Sequence, residues 1–146
     1  MSKTILLVED NASDEKLTLL AFKKSGVAND IVVVRDGEEA LDYMFGTGVH
    51  HGRDAADVPA LILLDLNLPK IDGLEVLRRI RADERTRLLP VVILTSSKQD
   101  EDILQGYARG ANAYVRKPVA FAEFLAAART LGLFWFLQNE SPPRTR

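Results

Sequence analysis

Short aliphatic runs recur along this chain, and nearly all are closed by a group that can carry chemistry. Ile5-Leu6-Leu7-Val8 leads into Glu9-Asp10, and Ala60-Leu61-Ile62-Leu63-Leu64 into Asp65. Val91-Val92-Ile93-Leu94 leads into Thr95-Ser96-Ser97, and Ala113-Tyr114-Val115-Arg116 into Lys117-Pro118. Ile31-Val32-Val33-Val34 is a fifth run, followed by the Asp36-Gly37 turn. Unbroken apolar runs of this length predict strands buried on both faces. The intervals carry helical spacing. Good N-cap residues and first-turn acids at Asn11-Ala12-Ser13-Asp14-Glu15 open a helix that runs to about residue 25. Leu17, Leu20, Ala21 and Lys24 fall at helical spacing along it, and Gly26 is its stop signal. A second helix covers roughly 38–45, with Ala40, Leu41 and Met44 inward. After Gly73, Val76, Leu77 and Ile80 form a buried stripe and Arg78, Arg79 and Arg81 a wet face. A fourth helix runs from Asp100 to Arg109 and is closed by Gly110; a fifth begins near Ala120.

Strand and helix alternate five times with short connections, which predicts an α/β protein with right-handed crossovers on both sheet faces. The expected architecture is a doubly wound five-stranded parallel sheet of order 2-1-3-4-5, a flavodoxin-like (βα)5 fold. Strands 1 and 3 are then neighbours at the point where the order reverses. Glu9, Asp10 and Asp65 meet there, at the carboxyl edge where such sheets bind ligands.

Composition narrows the function. The chain has 146 residues, of which 47% are hydrophobic and 27% charged, ordinary for a globular protein. A net charge of −2 gives no electrostatic case for nucleic acid or an anionic membrane surface. The absence of cysteine excludes disulfides, thiolate chemistry and cysteine-ligated metal. The first residues enter the first strand directly, so no signal peptide or membrane span is expected and the cytoplasm is the expected location. No interior linker is evident, hence the expectation of one domain over 1–137, no separate output module, and a disordered tail over 138–146. The loop over 46–59 is polar and holds three glycines and both histidines; His50-His51 reads as a pair of solvated side chains rather than a metal site.

Three carboxylates brought together repel one another unless a cation is present. Oxygen ligands suit a hard cation, and Mg²⁺ is the natural candidate because it binds one or two carboxylates together with a phosphate. Beside such a cation an aspartate can act as nucleophile toward phosphorus and form an aspartyl phosphate. The charge on the three equatorial oxygens then needs partners. Mg²⁺ takes one, Lys117 a second, and the Thr95 hydroxyl with a backbone N–H a third. Plainer readings stand beside these: Asp65 as the start of an exit loop, Lys117 as a solvated lysine, Thr95 as a helix N-cap, Tyr114 as a core or rim aromatic.

These residues resemble those of a known family. Val8-Glu9-Asp10-Asn11, Leu64-Asp65-Leu66-Asn67-Leu68-Pro69 with Asp72-Gly73, Leu94-Thr95-Ser96 and Lys117-Pro118 are similar to the motifs of the receiver domain of two-component response regulators. The resemblance covers about residues 4–130. It implies Asp65 as phosphoacceptor, Asp10 as direct Mg²⁺ ligand, Glu9 acting largely through water, and Asn67 giving its backbone carbonyl to the metal. It also implies that Thr95 is the switch hydroxyl, that Lys117 contacts the phosphoryl group, and that Tyr114 rotates inward when Thr95 moves. The implied partner is a histidine kinase. The loop over 46–59, the Asp65-Leu66-Asn67-Leu68-Pro69 motif and the C-terminal aromatics look closest to single-domain regulators that partner phytochrome-type kinases. Such a protein is a signalling component whose only chemistry is its own phosphorylation and autodephosphorylation, the latter depending in the family on Asn67 and Ser97. Two rivals fare worse. A flavodoxin-like cofactor binder needs phosphate-cradling hydroxyls and glycines where Glu9-Asp10 stand, and an aspartyl phosphatase usually has a second acid where Asn67 stands. A docking module without phosphorylation is opposed by the complete set of acids, Thr95 and Lys117.

The last expectation concerns 133–137. In the fifth helix, Phe121, Phe124, Leu125, Ala128 and Leu131 already supply a core stripe. Trp135 continues it, while Phe134, Phe136 and Leu137 point roughly 100° or more away. Gly132 also allows the segment to leave as an extended arm. In either form several large side chains are left for an interaction surface, the plainer reading being that they fold back onto the first and fifth helices. A homodimer built on the fifth helix and its extension Phe134, Trp135, Phe136 and Leu137 is expected.

Overall fold

In a computed structural model of the chain, residues 4–24, 30–95 and 100–116 are described. Five parallel strands, β1 (Ile5–Val8), β2 (Ile31–Val34), β3 (Leu61–Leu64), β4 (Val91–Thr95) and β5 (Ala113–Arg116), lie in the order β2-β1-β3-β4-β5. They alternate with α1 (Ala12–Lys24), α2 (Gly37–Phe45), α3 (Gly73–Ala82) and α4 (Asp100–Ala108). The architecture is the one expected from the alternation of runs.

Period-two alternation splits each strand between two cores. Leu6, Val8, Ile62, Leu64, Val91 and Ile93 face a core shared with α2 and α3, which contribute Ala40, Leu41, Met44, Val76, Leu77 and Ile80. Ile5, Leu7, Leu61, Leu63, Val92 and Leu94 face a second core, into which α1 sends Ala21 and Phe22. Both faces of β1, β3 and β4 are dry, so these runs show no alternation in sequence.

The inward face of α1 departs from the expected stripe. Thr18, Ala21 and Phe22 are buried, whereas Leu20 is 42% exposed and Lys24 lies outside. Thr18 can be buried because its hydroxyl donates to the Asp14 carbonyl (2.9 Å), which removes the cost of an unpaired polar group.

Arg81 is a second correction. Its guanidinium is half-buried rather than part of the wet face of α3. Nε and Nη2 donate to the Gly110 carbonyl (2.9 and 2.7 Å), Nη1 to the carbonyls of Leu89 (2.7 Å) and Arg87 (3.0 Å), and Nη2 also to Asn112 Oδ1 (3.0 Å). Asn112 Oδ1 accepts the Val91 N–H as well (2.8 Å). One side chain thus ties the end of α3 to the starts of β4 and β5, and its burial pulls its pKa below the ordinary arginine value.

The segment between α2 and β3 is ordered, not a bare polar loop. Gly46 closes α2 in the left-handed region (φ 65°), and a short 3₁₀ turn, Gly48–His50, follows. The Arg53 guanidinium lies 3.8 Å over the Tyr43 ring and donates to the Tyr43 carbonyl (2.8 Å) and the Asp57 carbonyl. His50 packs edge-on to Tyr43 with centroids 5.3 Å apart, and its Nε2 lies 3.1 Å from Glu39 Oε2. The solvated reading therefore holds for His51 alone.

On the outer face of α3, Glu75 takes Arg78 at 2.7 Å and Arg79 at 2.8 Å. Hydrogen bonds first from Arg78 and then from Arg79 hold its pKa down at about 2. A depressed carboxylate pKa favours the folded state above the unfolded value of 4.5, and that contribution disappears as pH falls toward 2. Carbon-detected NMR titration should find Glu75 ionised at pH 3, with the midpoint rising toward 4.5 in molar salt, since exposed pairs are screened.

Candidate metal and phosphoacceptor site

Register brings the candidate residues together. Val8 pairs with Leu64, and the ladder continues one residue on, where the Asp65 N–H donates to the Val8 carbonyl (3.1 Å) and the Glu9 N–H to the Val34 carbonyl (3.0 Å). Glu9 and Asp65 therefore leave the sheet side by side. One carboxylate oxygen from each of Glu9, Asp10 and Asp65 lies within 4.8 Å of the others. Glu9 (1% exposed) and Asp65 (6%) are buried, while Asp10 opens to solvent. Two buried acids and one exposed acid at this separation fit a hard divalent cation approached from water, and crowding of like charge favours its binding. The start of α1 adds partial positive charge beside the cluster; its N-cap Asn11 accepts the Asp14 N–H on Oδ1 (2.9 Å).

The loop after Asp65 is wound tightly by its own backbone. Leu68 N–H donates to the Leu66 carbonyl (3.1 Å), Ile71 N–H to the Pro69 carbonyl (2.9 Å), and Gly73 N–H to the Leu66 carbonyl (3.0 Å). Lys70, central to the second of these three-residue turns, sits at φ 69°, a sparsely populated region for a side-chain-bearing residue. Leu66 and Leu68 plug into the core below, and the exposed Asn67 donates its N–H to Asp65 Oδ1 (3.1 Å). The sequence reading singled out Asp65 and Asn67 and missed these two leucine anchors, although Leu-x-Leu around an exposed Asn67 was visible as a period-two signal.

Elsewhere the candidates spread along the same edge. Thr95 ends β4, in register with Arg116 of β5. Tyr114 is half-buried, its ring beside the position a Cβ on Gly106 would take. Lys117, Pro118, Ser97, Phe134, Trp135, Phe136 and Leu137 lie outside the described residues. The family profile described as "Response regulator receiver domain" matches residues 5–129.

The chain belongs to the response regulator receiver domain family.

This receiver is similar to proteins from several settings. A curated relative, the probable methanogenesis regulatory protein FilR2 of Methanothrix harundinacea (strain 6Ac), is 41% identical over 138 residues, 94% of this chain and 86% of that protein. The structure of the phosphorylated cyanobacterial phytochrome response regulator RcpA has a TM-score of 0.87 at 37% identity, covering 98% of this chain and 100% of that one. The Mn²⁺-bound form of the response regulator Rcp1 has a TM-score of 0.85 at 33% identity, covering 97% and 99%. Phytochrome-associated response regulators are thus among the receiver's structural neighbours. Among the described residues, no helix is long and apolar enough to cross a membrane.

Proposed function

We propose that this receiver takes a phosphoryl group from the phosphohistidine of a partner kinase onto Asp65. The observation that carries the reading is the carboxylate cluster of Glu9, Asp10 and Asp65, buried on one side and open on the other. A carboxylate oxygen of Asp65 attacks phosphorus; the O–P bond forms as the P–N bond breaks, and the electron pair leaves on the imidazole nitrogen. Glu9, Asp10 and Asp65, with the Asn67 carbonyl, are the groups that would hold Mg²⁺. When bound, the cation neutralises charge on the phosphoryl oxygens. RcpA is described as phosphorylated and Rcp1 as Mn²⁺-bound, which supports carrying both features over to this chain.

Lys117 and Thr95 take the remaining phosphoryl oxygens, and the Thr95 hydroxyl with the Tyr114 ring relays the change to a protein-binding surface. The kinase is of phytochrome type, by analogy with RcpA, and the setting is cytoplasmic. The test is phosphotransfer from a panel of purified, autophosphorylated histidine kinases, with and without EDTA; absence of Mg²⁺-dependent labelling from every donor overturns the assignment. Thr95→Ala should still accept phosphate while losing the phosphate-dependent change in backbone amide NMR shifts around α4. A normal shift pattern in that variant reduces Thr95 to a helix cap.

The same reading includes a homodimer through Phe134, Trp135, Phe136 and Leu137, resting on the apolar sequence of that segment. Sedimentation should show the full chain as a dimer at tens of micromolar (~10⁻⁵ M) and a chain ending at Thr130 as a monomer. A monomeric full chain, phosphorylated or not, retires it.

A further inference from the structure

The phosphoacceptor loop is gripped by two helix N-termini that begin with the same pair of residues, Asp36-Gly37 and Asp72-Gly73. Each aspartate caps its helix: Asp36 Oδ1 accepts the Glu39 N–H (2.7 Å) and Asp72 Oδ1 the Glu75 N–H (2.9 Å). Each glycine is buried where the loop backbone crosses it. A Cβ on Gly73 would fall 2.3 Å from the Asp65 carbonyl oxygen and 2.6 Å from Leu66 Cα. A Cβ on Gly37 would fall 1.8 Å from the Ile71 carbonyl oxygen and 2.7 Å from its carbon. The obstacles are backbone in both cases, so no rotamer change makes room.

Gly73 adjoins the acceptor directly. Gly37 is the less expected partner, since it belongs to α2 and comes 28 positions before Asp65 in the sequence. Its N–H donates to the Pro69 carbonyl (3.2 Å), and the second oxygen of Asp36 lies 3.6 Å from Lys70 Nζ. Every one of these contacts falls on the Pro69-Lys70-Ile71 turn, the stretch whose central residue has the unfavourable positive φ. An unfavourable turn persists only where its surroundings hold it, and here α2 is what holds it. Asp65 and Asn67 sit at the other end of the same short loop, anchored through Leu66 and Leu68.

We infer that Asp36 and Gly37 are positioning residues for phosphoryl transfer: the start of α2 is the seat against which the acceptor loop is set. They touch neither phosphate nor metal. The inference rests on the function proposed above and adds a second helix to the machinery of that site. A shift of about 1 Å in reacting groups can lower a rate roughly a hundredfold, so a displaced Ile71 carbonyl is expected to show in the chemistry.

The experiment compares the wild-type chain, Gly37→Ala and Lys70→Gly. Lys70→Gly places a residue at ease with φ 69° in the turn and removes the Asp36 pair, so it keeps the fold while loosening the seat. Two quantities are read: the rate of phosphorylation by phosphoramidate at saturating Mg²⁺, and the affinity for Mn²⁺ alone followed by its EPR signal. Expected is a fall of roughly tenfold to a hundredfold in rate for Gly37→Ala and a smaller fall for Lys70→Gly, each with weakened Mn²⁺ binding. Lys70→Gly should show these losses with an unchanged or raised Tm, which separates positioning from stability. If Gly37→Ala does not fold, Asp36→Ala, which removes the cap on α2 and the Lys70 pair together, decides in its place. Wild-type rate and Mn²⁺ affinity in the folded variants overturn the inference and leave the proposed function standing. Failure of the wild-type chain to be labelled by any donor overturns both.

Discussion

Asp65→Asn should abolish phosphate labelling by any histidine kinase that labels the wild-type chain. The amide has nearly the shape of the carboxylate, and its oxygen can still accept the Asn67 N–H that Asp65 Oδ1 now accepts, so the loop should keep its form. It lacks the negative oxygen that would attack phosphorus in the proposed transfer, and one of the three carboxylates that would hold the cation is gone. Because like charge is crowded there, removing one carboxylate also relieves repulsion. Thermal stability in EDTA should therefore be equal to or above that of the wild type, and the gain in Tm that the wild type shows on adding Mg²⁺ should shrink. Acid-labile, base-labile label appearing on the Asn variant at wild-type level would move the acceptor elsewhere. Chelation should act in the same direction on the wild type, with labelling restored by Mg²⁺ or Mn²⁺.

Arg81→Ala should be strongly destabilising although it lies remote from the site, costing about 3 kcal/mol. Hydrogen bonds to charged groups contribute about 1.5–3 kcal/mol apiece when intact, and unpaired buried carbonyls cost about 1–3 kcal/mol. Gly110 accepts two of the five bonds, and Leu89, Arg87 and Asn112 one each. Water entering the vacated space recovers part of the loss, which keeps the sum well below simple addition. For a chain of this length, about 3 kcal/mol corresponds to a fall of roughly 6–12 °C in Tm. Arg81→Lys should recover little, because an ammonium cannot serve acceptors arranged around a planar fork. Urea unfolding of the three proteins checks this; a midpoint for Arg81→Ala within experimental error of wild type would mean that the carbonyls are satisfied without the guanidinium.

Much of the fold was legible because parallel strands buried on both faces must be apolar. β1 and β3 are so throughout, β4 up to its terminal Thr95, and the half-buried β2 and β5 remain aliphatic or aromatic except at Arg116. The acids were legible because each interrupts such a run at its carboxyl end, where burial of Glu9 and Asp65 needs a reason. What escaped depended on partners distant in sequence. Arg81 looked like its neighbours Arg78 and Arg79 until carbonyls around Gly110 and Leu89 were placed against it. His50 looked like His51, yet only His50 reaches Glu39 and Tyr43. In α1, helical spacing included Leu20 and passed over Thr18, whose burial depends on its hydroxyl reaching the Asp14 carbonyl. Gly37 read as a turn residue because nothing local revealed the Ile71 carbonyl pressed against it.

The reach of Arg81 also bears on how the chain comes together during synthesis. Two of its acceptors lie 6 and 8 residues ahead, but Gly110 and Asn112 lie 29 and 31 ahead. A nascent chain that has released only its first three strands holds α3 with a cationic end not yet provided for. Water must stay at that end until β4 and β5 emerge. Completing the sheet and seating that half-buried arginine on Gly110 and Asn112 are then one event, which couples the last two strands to the first three.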